Sequence, residues 1–132
     1  EAVVIVNEEL KKDFRYFIKQ KGGMLAKGRL LGIQFETLFE DDLYMEISRH
    51  AIRMAEKLRE AFRKKGYPFL VENRTNQIFP VMPDSVLEKL SGSYGYSYQE
   101  RVDDTHSAVR FCTSWATKEE NVNSLIEDLN NC

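Results

Sequence analysis

Apolar residues recur at steps of three and four between about Asp42 and Lys65. Leu43, Ile47, Ala51, Met54, Ala55, Leu58 and Phe62 fall on one face, a spacing that predicts a long amphipathic helix. Arg63, Lys64 and Lys65 crowd its last turn, where cations suit the helix dipole, and Gly66 provides a stop. The N-terminal part reads differently. Glu1-Ala2-Val3-Val4-Ile5-Val6 is a nearly continuous apolar run, the pattern of a strand covered on both faces inside a larger sheet. Such a strand is expected to belong to a longer protein. Asn7 is placed to cap a first helix, with Glu8 and Glu9 in its first turn and Gly22-Gly23 at its end. A second helix is predicted from about Met24 to Phe39. Met24, Leu25, Leu30, Leu31, Ile33, Phe35, Leu38 and Phe39 make it apolar around most of its circumference, which requires burial in a core or a subunit interface.

Beyond Gly66 the period shortens. Tyr67-Pro68-Phe69-Leu70-Val71 reads as an edge strand, because Pro68 stands near its start. Residues 77–82 read as a second strand. Pro83-Asp84 opens a short helix, Ser85 to Leu90, that stops around Gly92. Tyr94 to Val102 and Ala108 to Trp115 read as two further strands. Thr117-Lys118-Glu119-Glu120 has the form of a capping box, ahead of a last helix with Val122, Leu125, Ile126 and Leu129 on one face. From Leu43 onward the order is helix, two strands, helix, two strands, helix. The expected fold class is α+β, a small, mostly antiparallel sheet with helices packed on one face. Residues 1–40 are expected to be a strand and helices at the boundary of a large domain, and residues 41–132 a small α+β domain.

Composition narrows the functions. The 132 residues suffice for one hydrophobic core. A formal net charge of −2 supplies no basic field for nucleic acid, and Lys11-Lys12 and Lys64-Lys65 stand among acidic residues as solvated faces. No apolar run approaches the roughly 20 residues of a membrane-spanning helix. The two cysteines, Cys112 and Cys132, form neither a disulfide framework nor a zinc spacing, and a reducing cytoplasm is the simplest setting. Cys112 reads as a buried small hydrophobe and Trp115 as core or domain-interface packing. Tyr94, Tyr96 and Tyr98 read as one face of a strand. His50 reads as a surface or interface residue, and His106 as a loop residue near carboxylates. Glu40-Asp41-Asp42 reads as dipole and cap residues rather than metal ligands, and no metal site is expected.

Three groups of segments resemble the C-terminal part of the threonine aldolase and β-eliminating lyase family. The first is Glu1-Ala2-Val3-Val4 with Lys19-Gln20-Lys21-Gly22-Gly23 and Leu25-Ala26-Lys27-Gly28-Arg29. The second is Thr75-Asn76-Gln77-Ile78-Phe79-Pro80. The third is Val109-Arg110-Phe111-Cys112-Thr113-Ser114-Trp115, with Thr117 and Glu119-Glu120 heading the final helix. The resemblance implies fold type I of the pyridoxal-phosphate enzymes, in which a small C-terminal domain closes over a cofactor held by a large one. It implies a lyase of amino-acid metabolism that cleaves a β-hydroxy-α-amino acid to glycine and an aldehyde. It implies a homodimer or homotetramer whose subunits share active sites. The Schiff-base lysine and most cofactor contacts of the family lie upstream of these residues, so the resemblance places no catalytic residue in this chain and implies that it is inactive alone. It assigns Arg110 to the substrate carboxylate, which a planar guanidinium matches better than a lysine. It assigns Arg29, with Lys27 beside it, to the cofactor phosphate of a neighbouring subunit.

The residues alone allow plainer readings. Arg110, between Val109 and Phe111, is a solvent-facing strand residue on pattern, and Lys27 and Arg29 are the polar stripe of an interface helix. The competing function is a free-standing α+β regulatory domain that binds a small molecule or a protein through its sheet. Another pyridoxal-phosphate reaction, a transamination or a β-elimination, uses the same carboxylate arginine.

Overall fold

The computed structural model describes residues 3–132; Glu1 and Ala2, the start of the expected first strand, lie outside the described residues. The chain divides into two compact units between Asp41 and Asp42.

In the first unit, Val3, Val4 and Val6 form no strand and are exposed. The expected strand is therefore not made among the described residues, because no neighbouring strand meets its backbone N–H and C=O groups. Asn7 does cap, its Oδ1 accepting from the Glu9 amide at 2.9 Å. What it caps is a single 3-10 turn, Glu8–Lys11. Asp13, at φ 57°, interrupts the predicted helix, and α1 (Phe14–Gln20) starts after it. Gly22 ends α1 at φ 77°, a conformation that favours glycine. The next helix, α2 (Arg29–Phe39), begins five residues later than expected, since residues 24–28 are turns and a bend. Neither helix buries a residue, and Leu30, Leu31 and Ile33 of α2 stay at least half exposed. The burial expected of α2 is not supplied within the described chain.

In the second unit, the predicted long helix is α3 (Leu43–Lys64). Asp42 holds the N-cap position at φ 62° but makes no capping bond. Its carboxylate instead accepts from Arg49 at 3.0 Å. So the acidic run does not cap by side chain as expected. Gly66, at φ 78°, closes α3, and Tyr67 donates its amide back to the Phe62 carbonyl.

The sheet is built around β4 (His106–Cys112). Two short strands, β1 (Gln77–Ile78) and β2 (Val81–Pro83), run antiparallel to it. Their pairs, Gln77 with Cys112, Ile78 with Phe111, Val81 with Ala108, Met82 with Ser107 and Pro83 with His106, keep one register throughout. The predicted strand 77–82 is thus one extended line. It divides at Pro80, which has no amide to donate, although its carbonyl still accepts from Val109. Outside it, the expected strand 67–71 is reduced to one bridge, Phe69 with Pro80, flanked by Leu70 N to Phe79 O and Val81 N to Pro68 O. The remaining strand, β3 (Ser97–Arg101), pairs with the opposite edge of β4 through a bulge between Tyr98 and Glu100.

Helices α4 (Asp84–Ser91) and α5 (Glu119–Asn131) join α3 over one face of this sheet. Phe62 and Leu58 of α3, Leu87 and Leu90 of α4, and Leu125 and Leu129 of α5 meet Ile78, Met82, Val109 and Phe111 in one core. The observed class is the predicted α+β antiparallel arrangement. The capping box before α5 is not formed. Lys118 is the N-cap, without a side-chain bond, and Thr117 Oγ1 accepts from the Ser114 amide at 2.8 Å. That turn also ends the expected strand 108–115 early and leaves Trp115 70% exposed, not in the core. Of the three tyrosines only Tyr98 lies in β3. Tyr94 donates to Asp128 at 2.6 Å and Tyr96 to the Leu87 carbonyl at 2.9 Å, so they anchor the hairpin to the helices. His106 opens β4 rather than a loop, and its Nδ1 lies 3.1 Å from the Asp103 carboxylate.

Candidate functional site

Alternation along β4 sends Val109 and Phe111 into the core and Arg110 and Cys112 to the other face. Opposed residues on neighbouring strands share that face. Ser97 of β3 stands opposite Arg110, and Gln77 of β1 opposite Cys112. Gly95, Tyr96, Ser97, Arg110 and Cys112 line an open cleft of about 300 Å³. Arg110 is half-buried there rather than solvent-facing. Its Nη1 donates to Gln77 Oε1 at 3.5 Å, the long limit of a hydrogen bond. Its Nε is buried and has no partner. An unpaired buried donor costs about 1–3 kcal/mol, more when charged. A planar oxyanion is the ligand that a guanidinium with unused donors takes best. Cys112 is exposed on this face, contrary to the expected buried hydrophobe, because it is two residues from Arg110 and in phase with it.

Lys27 and Arg29 lie in the first unit. With Ala26 and Leu30 they line a cleft of about 470 Å³ at the N-terminus of α2. Both are exposed, and neither has an ion pair or side-chain hydrogen bond among the described residues. Gly28, at the N-cap, offers no side chain. Two free cations beside a helix N-terminus fit a phosphate group, which the exposed amides and the dipole also favour. These residues therefore suit the phosphate end of pyridoxal phosphate. Arg110 belongs to the second unit.

Two other clefts carry charge. The larger, about 590 Å³, is lined by Glu56, Arg59, Arg63, Glu72, Asn73 and Arg74. Its main cations are spent on the fold. Arg59 is 2% exposed and donates to Glu56 at 2.6 Å and to the Thr75 carbonyl at 3.0 Å. Arg63 pairs with Glu72 at 2.9 Å and lies over the Phe69 ring. A cleft of about 490 Å³ is lined in part by His50, Arg53 and Trp115. There His50 Nε2 is 2.8 Å from the Thr117 carbonyl, tying α3 to the turn before α5. Nearby, the Lys57–Glu119 ion pair holds the Glu119 carboxyl below its ordinary range, mainly through the hydrogen bond from Lys57. Among the described residues no group of three His, Cys, Asp or Glu is arranged to hold a metal ion. No helix among them is long and apolar enough to cross a membrane.

The family resemblance singles out Arg110 in the sequence but not the residues around it. Cys112 was legible, since alternation sets it with Arg110. Gln77 and Ser97 depend on cross-strand register, which no local pattern reveals.

No protein-family model matches the chain. Curated relatives do. The low specificity L-threonine aldolase of Pseudomonas aeruginosa is 28% identical over 130 residues, which is 98% of this chain and 37% of that protein. The enzyme of the same name from a Pseudomonas species has the same identity and coverage. Among solved structures, the threonine aldolase of Leishmania major superposes with a TM-score of 0.89 at 35% identity, covering 96% of this chain and 37% of that one. The chain spans a little over a third of the length of these relatives. In sequence and backbone this chain is similar to the C-terminal part of threonine aldolases, whose fold it shares over that stretch.

Proposed function

We propose that this chain is the substrate-clamping C-terminal part of a pyridoxal-phosphate aldolase that cleaves a β-hydroxy-α-amino acid to glycine and an aldehyde. The observation that carries the reading is Arg110, a half-buried guanidinium in a cleft on the face of the sheet opposite α3, α4 and α5, with a buried donor left unpaired. Arg110 binds the substrate carboxylate and fixes the amino acid's rotation, so that the Cα–Cβ bond stands where cleavage is assisted. Orientation of this kind, together with a desolvated charge pair, raises the rate by holding the reacting bond in place. Lys27 and Arg29 hold the cofactor phosphate contributed by a neighbouring subunit. Pyridoxal phosphate, when bound, supplies the electron sink for the breaking bond. The first unit belongs with the large cofactor domain, the second closes over the substrate, and the working protein is a cytoplasmic homodimer or homotetramer.

The test is product analysis. The full-length polypeptide carrying this chain, given pyridoxal phosphate and L-threonine or a related β-hydroxy amino acid, forms glycine and the matching aldehyde in equal amounts. Residues 1–132 alone give no turnover. Release of ammonia and a keto acid, or no reaction with any β-hydroxy amino acid by the cofactor-loaded protein, contradicts the reading.

A further inference from the structure

We propose that Gln77 is a positioning residue for Arg110, and that its neutrality is what leaves the guanidinium charge available to an anion. The proposal rests on the reading of Arg110 as a carboxylate clamp. Gln77 is opposed to Cys112 across the β1–β4 ladder. It therefore stands diagonal to Arg110 on the same face, within reach of a long side chain. Its Oε1 accepts from Nη1, and this is the one side-chain hydrogen bond of Arg110 among the described residues.

The other arginines of this unit that are tied down are tied by carboxylates: Arg49 by Asp42, Arg59 by Glu56, Arg63 by Glu72 and Arg101 by Asp84, at 2.6–3.2 Å. A carboxylate cancels most of the charge that it orients. A carboxamide offers the same acceptor oxygen without the charge, so it aims the guanidinium and leaves its field intact. The contact is long, and its contribution is directional: it occupies Nη1 of a guanidinium whose side chain lines the cleft walled by Gly95, Tyr96 and Ser97.

Cys112 is a built-in reporter of that field. It lies two residues from Arg110 on the same face, about 7 Å along the strand, and its side chain is exposed. Iodoacetate and iodoacetamide alkylate a thiolate by the same displacement: a C–S bond forms, the C–I bond breaks and iodide leaves. They are nearly equal in size and differ by one negative charge. Cys132 is a second exposed thiol in the same chain and an internal control. The experiment is competitive alkylation of residues 1–132 at low salt, with both sites quantified by peptide mass spectrometry.

A single positive charge about 7 Å away raises the local concentration of a monoanion about threefold at the dielectric of water. The iodoacetate-to-iodoacetamide ratio at Cys112 is therefore expected to exceed that at Cys132 about threefold or more, and to fall with added salt. Gln77→Met keeps the volume and removes the acceptor. It is expected to bring the ratio at Cys112 down to that of Cys132 while the iodoacetamide rate stays the same. Gln77→Glu is expected to take it below. Thermal unfolding of each variant controls for folding, and Gln77→Leu repeats the test if the Met variant is unfolded. A ratio that survives Gln77→Met but is lost in Arg110→Gln overturns the positioning role and leaves Arg110 as the anion site. A wild-type ratio equal at both cysteines overturns the anion reading of Arg110 as well.

Discussion

The Asp103 carboxylate lies 3.1 Å from Nδ1 of His106 and also accepts the His106 amide at 2.8 Å. It accepts the amide of Thr105 at 2.7 Å too, so one side chain closes the turn of the β3–β4 hairpin. The Thr105 amide, and after it the His106 ring, lower the Asp103 carboxyl from 3.8 to about 2. A carboxyl that titrates lower in the folded than in the unfolded chain stabilises fully above the unfolded value and loses that contribution as pH falls toward the folded one. The stabilisation from Asp103 is thus complete above about pH 5 and lost between about pH 4 and 2. Asp103→Asn keeps an acceptor without the charge. The difference in melting temperature between wild type and this variant is expected to be constant from pH 5 to 7 and to shrink below pH 4. A difference that does not vary with pH contradicts the assignment.

Phe62 is fully buried, with its ring centroid 5.4 Å from that of Phe111 and 6.5 Å from that of Tyr67. It joins α3 to the sheet at the centre of the core. Phe62→Ala is expected to cost about 3–5 kcal/mol, from lost burial plus the cavity left behind. Urea unfolding followed by circular dichroism measures it, and a loss under about 1 kcal/mol contradicts this packing.

Arg59 reaches from α3 to the Thr75 carbonyl, holding the segment that leads into β1. Arg59→Met is expected to cost about 1–3 kcal/mol, because the Thr75 carbonyl loses a charged donor. Glu56 is partly exposed and regains water, which keeps the cost from being larger. Local opening is expected to follow the loss, so residues 72–76 become cleavable by protease at concentrations that spare wild type.

The sequence showed the regular parts of the fold well. The step of Leu43, Ile47, Ala51 and Phe62 gave α3 to within a residue at each end, and Gly66 marked its stop. After Leu43 the helices and the strands from Gln77 onward fall where the change of apolar period puts them, whereas the expected strand 67–71 is only the Phe69–Pro80 bridge. Errors fell where one atom had two possible partners. Thr117 has the pattern of a cap, but its hydroxyl serves the Ser114 amide. Asp42 has the pattern of a cap too, but its carboxylate serves Arg49. Val3 to Val6 have strand pattern without a neighbouring strand among the described residues, and pairing, not pattern, makes a sheet. Arg110 is singled out by the family resemblance. Its placement beside Gln77 and Ser97 is not, since register is a property of three segments far apart in sequence.

Lys27 and Arg29 face solvent at the start of α2 without partners among the described residues. In the full-length enzyme, replacing both with Ala is expected to weaken pyridoxal phosphate at least about tenfold, the worth of one charged hydrogen bond. Affinity for pyridoxal, which has no phosphate, is expected not to change. Equal weakening of both forms would place the effect elsewhere than on the phosphate.

Steady-state kinetics of the full-length protein with Arg110→Ala and Arg110→Lys tests whether Arg110 clamps the substrate carboxylate. Loss of a desolvated charge-assisted clamp costs about 2–5 kcal/mol. Arg110→Ala is therefore expected to lower kcat/KM for the β-hydroxy amino acid by roughly 30-fold to several thousandfold. KM should rise, kcat should fall, and the cofactor absorbance should remain unchanged. Arg110→Lys should recover only part, since an ammonium lacks the planar fork. Wild-type kinetics in Arg110→Ala with cofactor bound would contradict the account.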